Sequence, residues 1–152
     1  MENLMDEVCG RIRNYFVKVP DGIHRGKFTV SDGNIECNFL AQGQYFRVVG
    51  SVFNDGVWRY PAVEMVAEQF DGEVWGMCTP PAFLDVLKDI EDWNEKFGGI
   101  DSVTMSPFQS ESFNNYSYTK ASGSSANGGT GTAVTWESMF ANRLSRWRKI
   151  CL

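Results

Sequence analysis

Few places in this chain combine residue types and spacing in a way that could do chemistry. Gly123-Ser124-Ser125-Ala126-Asn127-Gly128 has the glycine spacing of a phosphate-binding loop, whose backbone N–H groups cradle phosphates. Gly129 and Thr130 follow it where the phosphate-contacting lysine would stand, and no strand–loop–helix context surrounds it closely, so a flexible connection is the better reading. Asp85, Asp89, Asp92 and Glu95 share a predicted helix at steps of three and four. Paired carboxylates can serve acid–base chemistry or hold a hard cation. Lys88 and Lys96 interrupt this row, however, and an open solvated face does little to drive carboxyl pKa values apart. His24 is the only histidine and has no evident serine or cysteine partner motif. Cys9, Cys37, Cys78 and Cys151 stand singly, without a Cys-x-x-Cys pair or Cys/His cluster, so zinc-site spacing is absent. Catalytic, cofactor-binding and metal-ligating residues are therefore expected to be none, and the chain is not expected to be an enzyme.

Binding chemistry has better candidates. Tyr45, Phe46, Phe53, Trp58 and Tyr60 would resemble a stacking platform for single-stranded nucleic acid if several faced outward beside cations, but only Arg47 and Arg59 are nearby. Strand alternation places half of such aromatics inside, which favours core packing or protein contact. Arg143, Arg146, Arg148 and Lys149 are the stronger electrostatic feature. Residues 1–119 hold nine basic and eighteen acidic side chains, a charge of −9, whereas residues 120–152 hold five and one, a charge of +4. The acidic part resists non-specific nucleic-acid binding, and the basic end suits phosphates or an acidic partner surface. Partner contact, the lining of a DNA channel and a plain solvated helix end all stay open for these cations, since basic residues also suit the negative end of a helix dipole.

The elements that must position these groups follow from periodicity. At 152 residues, with 14% aromatic and 22% charged residues, the chain fits one domain with a real core. Unpaired cysteines, a first six residues without a basic patch or apolar run, and no apolar span near the roughly 20 residues of a membrane helix suggest a reducing cytosol with unpaired, mostly buried thiols. The Asn115-Tyr116-Ser117 sequon is then a chance match. Leu4, Met5, Val8, Ile12, Tyr15 and Phe16 predict an amphipathic helix over Glu2–Lys18, ended by Pro20 and Gly22. From Gly26 the period becomes two, with Asp32-Gly33 as a tight turn and Ile35 and Cys37 on the return strand. Gln44–Phe53 and Val57–Tyr60 predict a second hairpin around Asn54-Asp55-Gly56, and Asp71-Gly72 sets off a strand at Glu73–Cys78.

Thr79 as N-cap and Pro80 at the first helical position open the clearest helix, whose apolar face is Phe83, Val86, Leu87, Ile90, Trp93 and Phe97 and whose end is Gly98-Gly99. A modest hairpin is expected from Glu111–Phe113 and Tyr116–Thr119, then a flexible or partner-held run at 121–132. Thr135 caps a last helix that repeats Trp136, Met139, Phe140, Leu144, Trp147 and Ile150, with Arg143, Arg146 and Lys149 opposite.

Ile12-Arg13-Asn14-Tyr15-Phe16, the run Gln44–Val57, Ser110–Lys120 and Arg143–Ile150 together resemble a protein common in phages and prophages of Gram-positive bacteria, over nearly the whole chain. The Ser-Glu, aromatic, Tyr-Ser-Tyr segment before the last helix is also similar to that of head–tail connector, or adaptor, proteins of tailed phages. The resemblance implies an α+β fold: a small helical bundle of N-terminal, central and C-terminal helices, with a β-hairpin-rich insertion at about 26–78 and a β-hairpin before the last helix. It implies a single connector domain over 1–152 that forms a homo-oligomeric ring, a dodecamer, docked on the portal protein. The ring would meet a stopper or tail-completion protein and pass genomic DNA without reading its sequence. The virion neck, assembled in the bacterial host cytoplasm, would be its location. Carried over, Ser110, Glu111, Phe113, Tyr116 and Tyr118 would form the intersubunit hairpin. Arg143, Arg146, Trp147, Arg148 and Lys149 would face the portal or the DNA channel. A stopper or tail-completion protein of the neck and a nucleic-acid-binding regulator are the alternatives.

Overall fold

Alternation of apolar and polar residues from Ile23 onward builds an antiparallel sheet, seen here in a computed structural model that describes residues 1–98, 110–113, 116–119 and 135–150. The order of elements is α1 (Glu2–Ile12), β1 (Ile23–Ser31), β2 (Asn34–Ile35), β3 (Tyr45–Val49), β4 (Gly56–Arg59), β5 (Glu68–Gly76), α2 (Pro81–Phe97), β6 (Ser110–Phe113), β7 (Tyr116–Thr119) and α3 (Trp136–Ser145). The fold is thus mixed α+β. Two compact units divide the chain, Met1–Leu87 with Trp147–Leu152, and Lys88–Arg146. Among the described residues no helix is long and apolar enough to cross a membrane.

The first unit holds a five-stranded sheet ordered β2-β1-β5-β3-β4. One face buries Val30, Phe46, Val48, Phe70 and Val74, joined by Ile35 of β2 and by Leu40, Ala62 and Met65 from the connections. Register places Arg47, Val57 and Trp75 on the other face. Asp6 of α1 and the ring of Tyr15 meet Arg47 there, at 3.4 Å and 4.2 Å. α1 turns Met5, Val8, Cys9 and Ile12 inward.

Asp32 and Gly33 form the expected tight turn, with φ of 51° and 79°, and Val30 pairs with Ile35 across it. Positive φ at both central residues matches the right-handed twist of the strands. Other expectations need correction. The helix expected to run to Lys18 stops at Ile12, because Arg13 adopts left-handed φ and ψ of 55° and 36°. Its N–H bonds Gly10 O at 3.2 Å and that of Asn14 bonds Cys9 O at 3.0 Å, the paired closure of a Schellman motif with arginine in place of the usual glycine. Tertiary bonds explain the early stop: Phe16 O accepts the Cys78 N–H at 2.9 Å, and Val17 bridges Met77. Tyr15 and Phe16, which fit the helical repeat, are drawn away to Trp75 and Phe83 instead.

β5, the central strand of the sheet, begins at Glu68 and contains Asp71-Gly72 rather than starting after it. Gly72 faces Gly26 across the ladder, and a side chain at Gly72 would strike Val49 O. The glycine that read as a turn therefore permits close backbone approach inside a central strand. β2 ends at Ile35, so Cys37 lies beyond the return strand. α2 begins one residue later than expected: Pro80 O accepts Phe83 N–H at 2.9 Å, which makes Pro81 the first helical residue. Thr79 is no cap, since its Oγ1 is buried without a hydrogen bond.

In the second unit β6 and β7 pair antiparallel, with Glu111 opposite Tyr118 and Phe113 opposite Tyr116, as the expected hairpin requires. Thr135 does precede α3, and its N–H donates to Ser138 Oγ at 3.3 Å. α3 buries Trp136, Phe140 and Leu144 but ends at Ser145, so Trp147 and Ile150 do not extend its stripe.

Gly33→Ala should destabilise the protein by about 1–3 kcal/mol in urea unfolding, because φ of 79° and the nearby Val63 carbonyl both oppose a side chain. Gly26→Ala offers the contrast: nothing lies within 4 Å of its new Cβ, so backbone strain alone should remain and the loss should be smaller.

Candidate functional site

The loop between β3 and β4 leaves the ladder at Gly50, φ 89°, whose N–H donates to Asp55 Oδ2 at 3.0 Å. Sequence spacing favoured a strand through Phe53, but buried polar groups impose another path. Asn54 is 1% exposed, and its side chain imitates a strand partner: Nδ2 donates to Val66 O at 2.9 Å and Oδ1 accepts Val66 N–H at 2.8 Å. Glu68 closes the loop from the other side. It accepts from the Ser51 hydroxyl, from Val52 N–H at 2.9 Å, from Phe53 N–H at 3.4 Å and from Asn54 Nδ2 at 3.0 Å. The Ser51 hydrogen bond above all, joined by these others, holds the Glu68 carboxyl below its usual pKa. Trp58 Nε1 donates to Asn54 O at 2.9 Å and ties the loop to β4.

The consequence is an apolar tip held outward. Val52 is 80% exposed, Phe53 66% and Val66 51%. Behind this tip the buried Ser51 and Asn54 have their hydrogen bonds made, where each unsatisfied group would cost about 1–3 kcal/mol. Phe53 belongs to the aromatic set of Tyr45, Phe46, Phe53, Trp58 and Tyr60. The five do not share a face: Phe46 is in the core, Trp58 and Tyr60 pack against it, and Tyr45 lies on the Arg47 side beneath Arg59. The signal that could have found the tip is the pairing of Ser51, Asn54 and Glu68, which no local period reveals.

The basic end resolves into residues with different work. Arg143 Nη1 pairs with Asp89 Oδ2 at 2.7 Å, and its guanidinium lies 5.6 Å from the Phe140 ring centre. Trp147 stacks edge-on against Phe83 at 5.3 Å, while its carbonyl accepts from Asn14 Nδ2 at 2.9 Å. Arg146 follows α3 directly, and Arg148 and Lys149 are exposed. Of the hairpin residues, Ser110 pairs with Thr119, Glu111 with Tyr118 and Phe113 with Tyr116. Gly123–Gly128 and the run 121–132 lie outside the described residues.

The remaining chemical candidates separate. Asp85, Asp92 and Glu95 are exposed along α2, and Asp89 serves Arg143. His24 stacks on Phe39 at 3.7 Å. Cys9 is buried, which together with the charge of Asp6 pushes its thiol up to about 12; burial likewise pushes the Tyr15 hydroxyl to about 12. A groove of about 670 Å³ runs beside β4 and the first turns of α1, lined in part by Glu2, Asp6, Asp55, Trp58, Tyr60 and Glu64.

Two outcomes follow. Glu68→Gln should speed amide hydrogen exchange at Val52, Phe53 and Asn54 selectively, and in the wild type the same loosening should appear as pH falls through the lowered Glu68 pKa, since the stabilising carboxylate is present only above it. At the alkaline end the sign reverses. Cys9 and Tyr15 keep their protons in the folded state above the pH at which the unfolded chain loses them, so stability present below about pH 9 is lost progressively toward about pH 12. Chemical unfolding across that range should show a downward slope that Cys9→Ala makes shallower.

Compared with known proteins, the chain matches no family model, no curated protein and no solved structure.

Proposed function

We propose that this chain is a structural protein of the neck of a tailed phage or prophage particle, a head–tail connector that forms a ring on the portal and joins capsid to tail around the DNA passage. The observation that carries the reading is the tip at Val52, Phe53 and Val66, exposed by 80%, 66% and 51% and fixed from behind by Asn54 and Glu68. A preorganised apolar surface of this kind has use in assembly, where side-chain ordering is already complete before contact. Resemblance of the segments around Asn14, Gln44–Val57, Ser110–Lys120 and Arg143–Ile150 to phage proteins supports the same reading.

In this reading the three helices form a small bundle, the sheet of β1–β5 is its insertion, and the β6–β7 hairpin reaches a neighbouring subunit. Arg146, Arg148 and Lys149 face the portal or the channel; Trp147 and Arg143 hold that end in shape through Phe83 and Asp89. The work is geometric: each subunit adds a modest interface, and closure of the ring makes the sum multivalent. A stopper or tail-completion role uses the same surfaces lower in the neck. A nucleic-acid-binding regulator is less well supported, because Arg143 is engaged by a carboxylate within its own unit.

Purified portal mixed with the protein should gain a ring of density on one end in negative-stain electron microscopy. Val52→Asp with Phe53→Asp should leave folding intact and remove that ring. Bare portals with the wild-type protein, found instead on tail tubes or on DNA, would move the assignment to tail completion or to nucleic-acid binding.

A further inference from the structure

β4 is an edge strand with a groove along its whole length, and we propose that this edge binds an extended peptide segment of a partner protein as a sixth strand of the sheet. Tyr60 N–H donates to Gln44 O at 2.8 Å and Tyr60 O accepts the Gly43 N–H at 2.7 Å, so the main chain of Tyr60 turns toward the β3 side. Antiparallel pairing repeats this at every second residue. Trp58 opposite Phe46 and Gly56 opposite Val48 therefore bond inward too, and the N–H and C=O groups of Val57 and Arg59 point away from β3. Among the described residues no strand pairs with that side.

Residues 55–64 line the groove without a break, together with the first residues of α1. The opposite edge of the sheet is closed by comparison. There the segment after β2 runs along β1, with Glu36 N–H donating to Thr29 O at 2.9 Å and Phe39 stacked on His24 at 3.7 Å. β4 spans about 13 Å at the rise of a strand, and over that length its outer side offers a donor and an acceptor at each of Val57 and Arg59.

The main chain selects the occupant. Donors and acceptors at alternate residues match the backbone of another strand, whereas a helix has spent its own N–H and C=O groups internally. Charge contributes little, since Glu2 has the Met1 ammonium at 3.8 Å and Asp6 and Asp55 attend Arg47 at 3.4 Å and 3.8 Å, while Glu64 and Arg59 offset one another. Alternation also sets a side-chain preference. A residue opposite Trp58 lies on the core face, in a groove that includes Val63, 79% exposed, and suits an apolar group; those opposite Val57 and Arg59 lie on the Arg47 face and suit polar ones. This contact requires neither portal nor ring and so goes beyond the neck assignment.

Amide hydrogen exchange followed by NMR on the full chain tests it, with an end-capped octapeptide alternating valine and threonine as the probe. In the free protein the Val57 and Arg59 amides should exchange roughly tenfold or more faster than those of Trp58 and Tyr60. Saturating peptide should slow Val57 and Arg59 by roughly tenfold and leave Trp58 unchanged. The same peptide with every amide N-methylated should give no protection. Arg59→Pro removes one outward N–H at an edge position that tolerates proline, and it should weaken peptide binding by roughly tenfold while the sheet stays folded. Should that variant unfold, the N-methylated peptide on wild type still decides. A tenfold rise in salt should change affinity by less than about twofold. Slow exchange at Val57 and Arg59 in the free chain would show the edge already covered, and protection that grows with protein concentration alone would give it to a second copy; either overturns the proposal. So would a peptide that leaves both amides unprotected, equal protection by the N-methylated form, or affinity that falls steeply with salt. Portal docking is scored separately: its failure leaves peptide binding standing, and failure of the peptide leaves the neck assignment standing.

Discussion

Arg47 is the constraint on which the first unit depends. Its guanidinium lies 4.2 Å from the Tyr15 ring centre and 5.6 Å from that of Trp75, with Asp6 at 3.4 Å and Asp55 at 3.8 Å. One side chain on β3 thereby joins α1, the segment after it, β5 and the loop leading to β4. Only 20% of it is exposed, and its buried Nε makes no hydrogen bond; Asp6 Oδ1 likewise has none, so that contact is Coulombic rather than a hydrogen bond. Two carboxylates and two ring faces offset the desolvation of one cation, and removing any of them leaves a buried charge less well matched, which is where large losses arise. The Arg25–Glu73 pair is shorter, at 2.6 Å, but Arg25 is 76% exposed and such a pair contributes at most about 1 kcal/mol. Burial, not distance, sets which ion pair matters.

Polar burial does related work in the loop between β3 and β4. Asn54 and Glu68 replace a backbone partner for residues 51–54 and 66, and this turns hydrophobic side chains toward solvent where an ordinary hairpin would turn some of them in. The segment after α3 is held in a similar way, by Asn14 Nδ2 donating to Trp147 O and Lys149 N–H donating to Ile12 O. In both places hydrogen bonds between residues distant in sequence fix the path of the backbone.

Much of the fold was legible because it is local. The Asp32-Gly33 turn, the apolar face of α2, the β6–β7 pairing and the start of α3 at Thr135 each follow from a few adjacent residues. Errors fall where a distant partner competes with local period. Tyr15 and Phe16 fit α1 until Trp75, Phe83 and Cys78 claim them; Gly72 reads as a turn until Val49 approaches it; Thr79 reads as a cap until its hydroxyl is buried without a partner. Among the site residues, spacing placed Arg143 opposite the apolar stripe of the last helix, and no pattern in the chain announces Asp89 as its partner across 54 positions.

By itself the sequence determined the alternation that makes the strands, the turn and cap residues that bound several elements, and the separation of charge between the acidic body and the basic end. These depend on residues within a few positions of one another, where periods of 2 and 3.6 decide which side chains can share a face. Tertiary structure alone decided that Arg47 would be the hub, that Val52 and Phe53 would face water, and that Arg13 would stand beside Arg148 and Lys149. Each of those outcomes turns on the burial of a polar group and on the partner that satisfies it, and a buried group takes its partner from whatever the closed chain brings near, however far away in sequence.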